Sequence, residues 1–200
     1  MTSVSENVGA LDTSRKPTGG GHLPGESSMW FFVIGDLLIF AFYFVVYMYY
    51  RGENQELFLD SQTKLNTDIG AVNTVVLLTS SLFVALGTTA ARSGKMGDAS
   101  RLLGLALACG AVFPVLKAFE YIPEVMAGLT PGTNLFFMFY FVMTGMHLCH
   151  VFLGLAILYF LVRNVRSSRP RISLVETGAT YWHMVDLLWI VLFALLYLMR

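Results

Sequence analysis

Histidines and carboxylates recur in this chain at helical spacing, with chemistry suited to holding a metal, passing a proton or pinning one helix to another. Thr144, His147 and His150 follow at intervals of three, and so do His183 and Asp186. On a helix each set lies near one face. Asp36 stands in a long apolar run, while Lys117 and Glu120 are again three apart, a spacing that suits an ion pair. Imidazole and carboxylate are ligands for transition metals, and histidines on facing helices hold haem in b-type cytochromes. Ionisable groups inside a membrane also form proton relays, and polar side chains bond neighbouring helices together. Three readings therefore stand side by side: interhelical packing, a proton or ion relay, and a metal or haem site. HxxH and HxxD on helices are too common to choose among them. Cys109 and Cys149 sit in apolar runs with no Cys-x-x-Cys neighbour and read as small buried hydrophobes.

The elements that carry these residues belong to a membrane protein. Hydrophobic residues make up 56% of the chain and charged ones 13%, about half the charged share of a typical soluble domain, and the mean hydropathy is +0.64. The formal net charge is zero, so no basic field points to nucleic acid. A spanning helix needs about 20 mostly apolar residues. Five segments qualify, at about 29–50, 69–91, 102–122, 134–162 and 176–199. The expected fold is an all-α, polytopic bundle of five transmembrane helices over residues 29–200. Pro114 is placed to bend the third span and Pro123 to end it. Residues 1–28 are polar, carry Gly19–Gly21 and lack an apolar signal core, which predicts a mobile tail with no signal peptide.

Each ionisable group inside a span costs about 2.5–3.5 kcal/mol on insertion scales, so these residues should face protein, water or headgroups. Asp36 lies about 10 Å into the first helix at 1.5 Å per residue. His183 and Asp186 come out roughly level with it, and His150 somewhat deeper. Contacts among the four are allowed in depth, which predicts close packing of the first, fourth and fifth spans. Trp30 and Trp182 are candidate interface anchors, whereas Trp189 lies too far inside its helix and reads as packing.

Lysine and arginine set the direction. The tail, second linker and fourth linker share one side and hold Arg15, Lys16, Arg92, Lys95, Arg101, Arg163, Arg166, Arg169 and Arg171, nine cations against three (Arg51, Lys64 and Arg200) opposite. The bias predicts a cytoplasmic N-terminus and an outside C-terminus. Arg92, Arg101, Arg163 and Arg166 are then candidates for anionic lipid headgroups as well as topology determinants. The first outer linker is acidic, with Glu53, Glu56, Asp60 and Asp68, and reads as a solvated loop.

Together the motifs resemble subunit III of the haem–copper oxidases over residues 24–200. Thr144-Gly145-Met146-His147-Leu148-Cys149-His150-Val151 is similar to that family's TGxHxxHV motif. Tyr181-Trp182-His183-Met184-Val185-Asp186-Leu187-Leu188-Trp189 is similar to its YWHxVDxxW motif. Asn73-Thr74 through Ser80-Ser81 resembles the NTxxLLxSS pattern, and Phe119-Glu120-Tyr121 resembles the Glu-Tyr end of the next helix. The chain departs from the pattern where Gly35-Asp36 replaces Ser-Glu and Lys117 replaces a glutamine. It has five spans where longer members have seven. Short five-helix forms occur in bacteria, one branch of them with nitric oxide reductase, and Pro24-Gly25-Glu26 with Gly35-Asp36 looks closer to that branch.

The resemblance implies a non-catalytic subunit of the bacterial plasma membrane with no haem or copper of its own. Those cofactors would lie in partner subunits I and II. Packing on subunit I, phospholipid held in a cleft between helices, and support of proton uptake and of stability during turnover are the implied roles. Asp36 would correspond to the family's membrane-embedded acid. From the residues alone, a small transporter or channel and a b-type cytochrome remain rivals, separated by transport in liposomes and by an optical spectrum.

Overall fold

Five long apolar helices, each broken from the next by a short polar turn, set the architecture seen in a computed structural model that describes residues 27–199. The polar tail expected at 1–28 lies outside the described residues, except that Ser27 and Ser28 open the first helix. In chain order the helices are α1 (Ser27–Glu53), α2 (Gln55–Thr63), α3 (Thr67–Arg92), α4 (Met96–Met126), α5 (Leu135–Val165) and α6 (Ile172–Phe193). A wide turn over Ala194–Leu198 prolongs α6, and in it Met199 N donates five residues back to Ala194 O. All but α2 are long and apolar enough to cross a membrane, and no strand occurs among the described residues.

The helix ends are written in local chemistry. Asn66 caps α3 by accepting from the amides of Asp68 and Ile69. Asn134 caps α5 by accepting from Phe137 N at 2.9 Å, and its amide donates to Ser61 Oγ of α2. Both contacts satisfy donors that a helix start leaves open. Gly94 and Gly128 follow α3 and α4 at φ +75° and +82°, left-handed positions where a side chain would strain the chain reversal.

The expected stop at Pro123 is not where α4 ends. The helix runs on to Met126, and Ala127 N still donates to Pro123 O at 2.9 Å. A proline removes one backbone donor but leaves its own carbonyl able to continue the ladder, and a transmembrane helix tolerates that loss where neighbours repair it. The extra turn carries Glu124 into the protein interior.

Helices α3, α4, α5 and α6 close a ring, each against the next and α6 back against α3, while α1 leans on α5 and α6 from outside. In α6 and its extension 61% of the apolar stretch is buried, against 11% in α1. The final span is therefore the centre of the molecule. The tightest pair is α3 with α4, because a three-residue turn joins them and the buried small residues Gly87, Ala91, Ala99 and Ala106 allow close approach; of the packing expected among the first, fourth and fifth spans, α5 lies along α6 while α1 only leans on both.

Trp182 is a packing residue and not an interface anchor. It is buried, and its ring lies so close to Gly110 of α4 and Gly154 of α5 that a Cβ at either would come within 2.7 Å of it. Two glycines on two helices thus form the slot for one indole. The short α2, invisible to a search for apolar runs, tucks Phe58 against Tyr47 and Phe136 at ring separations of 5.4 and 5.6 Å. Its Gln62 donates to the carbonyls of Leu195 and Leu196, exposed by the wide turn, and Tyr47 of α1 also donates to Leu195 O.

Candidate functional site

The polar residues singled out by spacing fall into separate clusters. Asp36 of α1 meets His150 of α5, with Oδ2 3.3 Å from Nε2, half-buried where α1 leans on the ring. His150 Nδ1–H donates to Met146 O at 2.8 Å, one turn back. Phe40 packs edge-on against the imidazole, and Tyr181 donates to His150 O. This contact realises one of the pairings that depth allowed.

His183 and Asp186 do not join it. His183 Nδ1 shares a hydrogen bond of 2.6 Å with Ser81 Oγ of α3, and Asp186 also neighbours Ser81. The motif of α6 therefore reads the Ser80-Ser81 pair of α3, on a different side from Asp36. A crevice between α3 and α6, lined by Thr88, Arg92, Glu176 and His183, leads towards this pair. In its lining Arg92 Nε donates to Glu176 Oε1 at 2.7 Å. Ser80 Oγ donates to Ala106 O at 2.8 Å and binds α3 to α4.

His147 and Thr144 face inward on α5. The His147 ring lies between Phe113 and Trp189, at 5.5 and 5.3 Å, and neither of its nitrogens has a partner. Thr144 donates back to Tyr140 O and shares a short hydrogen bond with Tyr121 of α4. Trp189 Nε1 donates to Thr74 Oγ1 at 3.0 Å, so the α5 motif is tied to α4 through Thr144 and the α6 motif to α3 through His183 and Trp189.

The densest cluster gathers on Lys117 and Glu120. Lys117 is 2% exposed, and its ammonium donates to Glu120 Oε2 at 2.9 Å, to Tyr197 Oη at 2.8 Å and to Tyr140 Oη at 3.2 Å. The rings of Tyr140, Tyr121, Trp189 and Tyr197 surround the charge, with centroids 4.9 to 5.4 Å away. Tyr197 in turn donates to Glu120 Oε1, and Tyr140 to Glu124 Oε1 at 3.3 Å. Spacing announced the ion pair. Glu124, Tyr140 and Tyr197 were missed because they arrive from beyond a proline, from another helix and from the last turn of the chain. Their only sequence signal is that each is a polar residue at the end of an apolar segment.

Among the described residues no three His, Cys, Asp or Glu side chains converge as a metal ion requires. The inner-rim cations are partly engaged: Arg166 donates to Ser100 Oγ at 2.7 Å, Arg163 reaches Tyr159, and Arg101 lines a shallow recess with Lys95 and Asp98. What this arrangement does is pin helices, one bond at a time, around a central charged cluster.

Comparison with known proteins gives that scaffold its kinship. The family described as cytochrome c oxidase subunit III matches residues 25–200. A cytochrome c oxidase subunit 3 of Synechocystis sp. is 33% identical over 172 residues, covering 84% of this chain and 72% of that protein. The subunit 3 of Thermostichus vulcanus is 30% identical over 172 residues, with 84% of each chain covered. A haem–copper oxidase subunit I+III of Aeropyrum pernix is 30% identical over 184 residues, which span 86% of this chain and 22% of that longer protein. The match takes in every described helix and both histidine motifs, and so the chain belongs to the cytochrome c oxidase subunit III family.

Proposed function

We propose that this chain is a non-catalytic accessory subunit of a bacterial haem–copper oxidase, seated on catalytic subunit I beside subunit II. The observation that carries the reading is the family match over residues 25–200. The fused subunit I+III relative supports it, since two units on one polypeptide are held side by side by their tether. Haem and copper belong to the partner subunits in this reading. The chain contributes a rigid apolar surface to the complex, with its polar groups turned to one another.

Its further roles follow from what it presents to the bilayer. Phospholipid would lie along the exposed apolar flanks, with headgroups near Arg101, Arg163 and Arg166, while Arg92 is already engaged with Glu176. The nine-to-three cation bias favours a cytoplasmic N-terminus and an outside C-terminus in a bacterial plasma membrane. Support of proton uptake and of stability during turnover would act through the partner, with Asp36 and His150 facing each other where α1 leans on the ring.

The test is affinity purification of the tagged chain from gently solubilised native membranes. Recovery of a haem–copper subunit I in stoichiometric amount is expected, and its identity tells an oxygen-reducing from a nitric oxide-reducing partner. Recovery of the chain with no haem protein, combined with ion transport by the chain alone in liposomes, overturns the reading in favour of a transporter.

A further inference from the structure

We propose that Glu124 is a proton-binding site: a carboxylic acid that holds its proton at neutral pH, beside a lysine–glutamate pair that is already complete. The donor and acceptor count around Lys117 carries the assignment. An ammonium has three N–H donors and no acceptor, and here all three are used, on Glu120 Oε2, Tyr197 Oη and Tyr140 Oη. Each phenol accepts from the lysine and passes its own hydrogen to a carboxyl group, Tyr197 to Glu120 and Tyr140 to Glu124. Both oxygens of Glu120 are therefore served, one by the ammonium and one by a phenol. That is the environment of an ionised carboxylate, and it balances the lysine charge.

Glu124 is left with one served oxygen. Oε1 accepts from Tyr140, while Oε2 is buried without a partner, in a residue 7% exposed. Were it ionised, the cluster would carry two carboxylates against one ammonium, a net negative charge without donors in a low-dielectric site. A group so placed binds a proton and becomes neutral. Among the described residues, the ionisable groups that interact with it are Lys117 and Glu120 on α4, Tyr140 on α5, and Tyr121 and Tyr197 around the same ammonium, so Lys117 is the one cation among them. Glu124 is two residues from the end of α4, so its proton is within reach of water at that face of the membrane. The continuation of α4 past Pro123 brings the acid in.

The site is separate from Asp36 and His150, which meet each other where α1 leans on α5. Infrared difference spectroscopy on the purified complex tests the assignment. Wild type minus Glu124→Gln is expected to show loss of one protonated-carboxyl C=O stretch at neutral pH, sensitive to exchange into D2O. Tyr140→Phe, which keeps both carboxyl groups, is expected to move the same band upwards by removing the hydrogen bond to Oε1. Loss of carboxylate stretches in place of the C=O band shows Glu124 ionised and overturns the proposal, as does a band that survives Glu124→Gln and vanishes in Glu120→Gln. If Glu124→Gln does not assemble, the Tyr140→Phe shift decides alone: an unmoved C=O region overturns the assignment. Neither outcome bears on which subunit co-purifies with the chain.

Discussion

Lys117 is held by three acceptors inside four aromatic faces, so its replacement should cost more than the loss of a typical surface ion. Lys117→Met leaves the Glu120 charge buried and unpaired, a change expected to cost about 3–5 kcal/mol, read as the shift in an SDS-unfolding titration of the complex. Replacing Glu120 with leucine in the same chain should recover most of it, because an apolar pair carries no desolvation penalty. His147 is the contrasting case. Its nitrogens serve nothing and its ring stacks among rings, so His147→Phe should cost under about 1.5 kcal/mol as a near volume-conserving swap. His150→Phe, by contrast, deprives Asp36 of the ion-pair partner it has among the described residues. A His147→Phe complex that fails to assemble would show an unseen partner at that ring. The motif spacing could not make this distinction, since both histidines lie three apart on one helix and differ only in what the neighbouring helices bring. The Lys117–Glu120 pair was legible because both residues are on one helix. The completion of their site by Tyr140 and Tyr197, 23 and 80 residues from Lys117, was not.

At the scale of elements, α6 works because α4 and α5 make room for it. Gly154→Ala should strain the slot that holds Trp182 by about 1–3 kcal/mol, the usual range for overpacking. Trp182→Phe, with its shorter ring, should relieve part of that cost when the two are combined. A double-mutant cycle reads the coupling, and strict additivity would show that the indole moves aside freely. Hydropathy located the five spans, since a run of about 20 apolar residues has few other uses. It missed α2, which is short and amphipathic and owes its place to Phe58 and Gln62 docking on α1, α5 and the final turn. It also stopped α4 one turn early, because Glu124 and Pro123 both look like exit signals until the ring shows a buried carboxyl group in a helix that continues.

For the whole molecule, the direction of insertion can be checked separately from its partners. Alkaline phosphatase fused after residue 200 should be active, and the same enzyme fused at residue 1 inactive, if the cation bias sets the topology; the reverse pattern would turn the whole charge argument over. The order of the ring has a further consequence, for biogenesis. The helix that touches α1, α3 and α5, and sends Trp182 and Trp189 to α4, follows the other four spans in chain order. Until it arrives, the other four spans sit in the bilayer with Ser81 and His147 lacking the contacts that α6 brings. A nascent chain of this kind passes through a stage that is inserted and not yet folded, and its survival then depends on how long the cell's membrane proteases wait for α6.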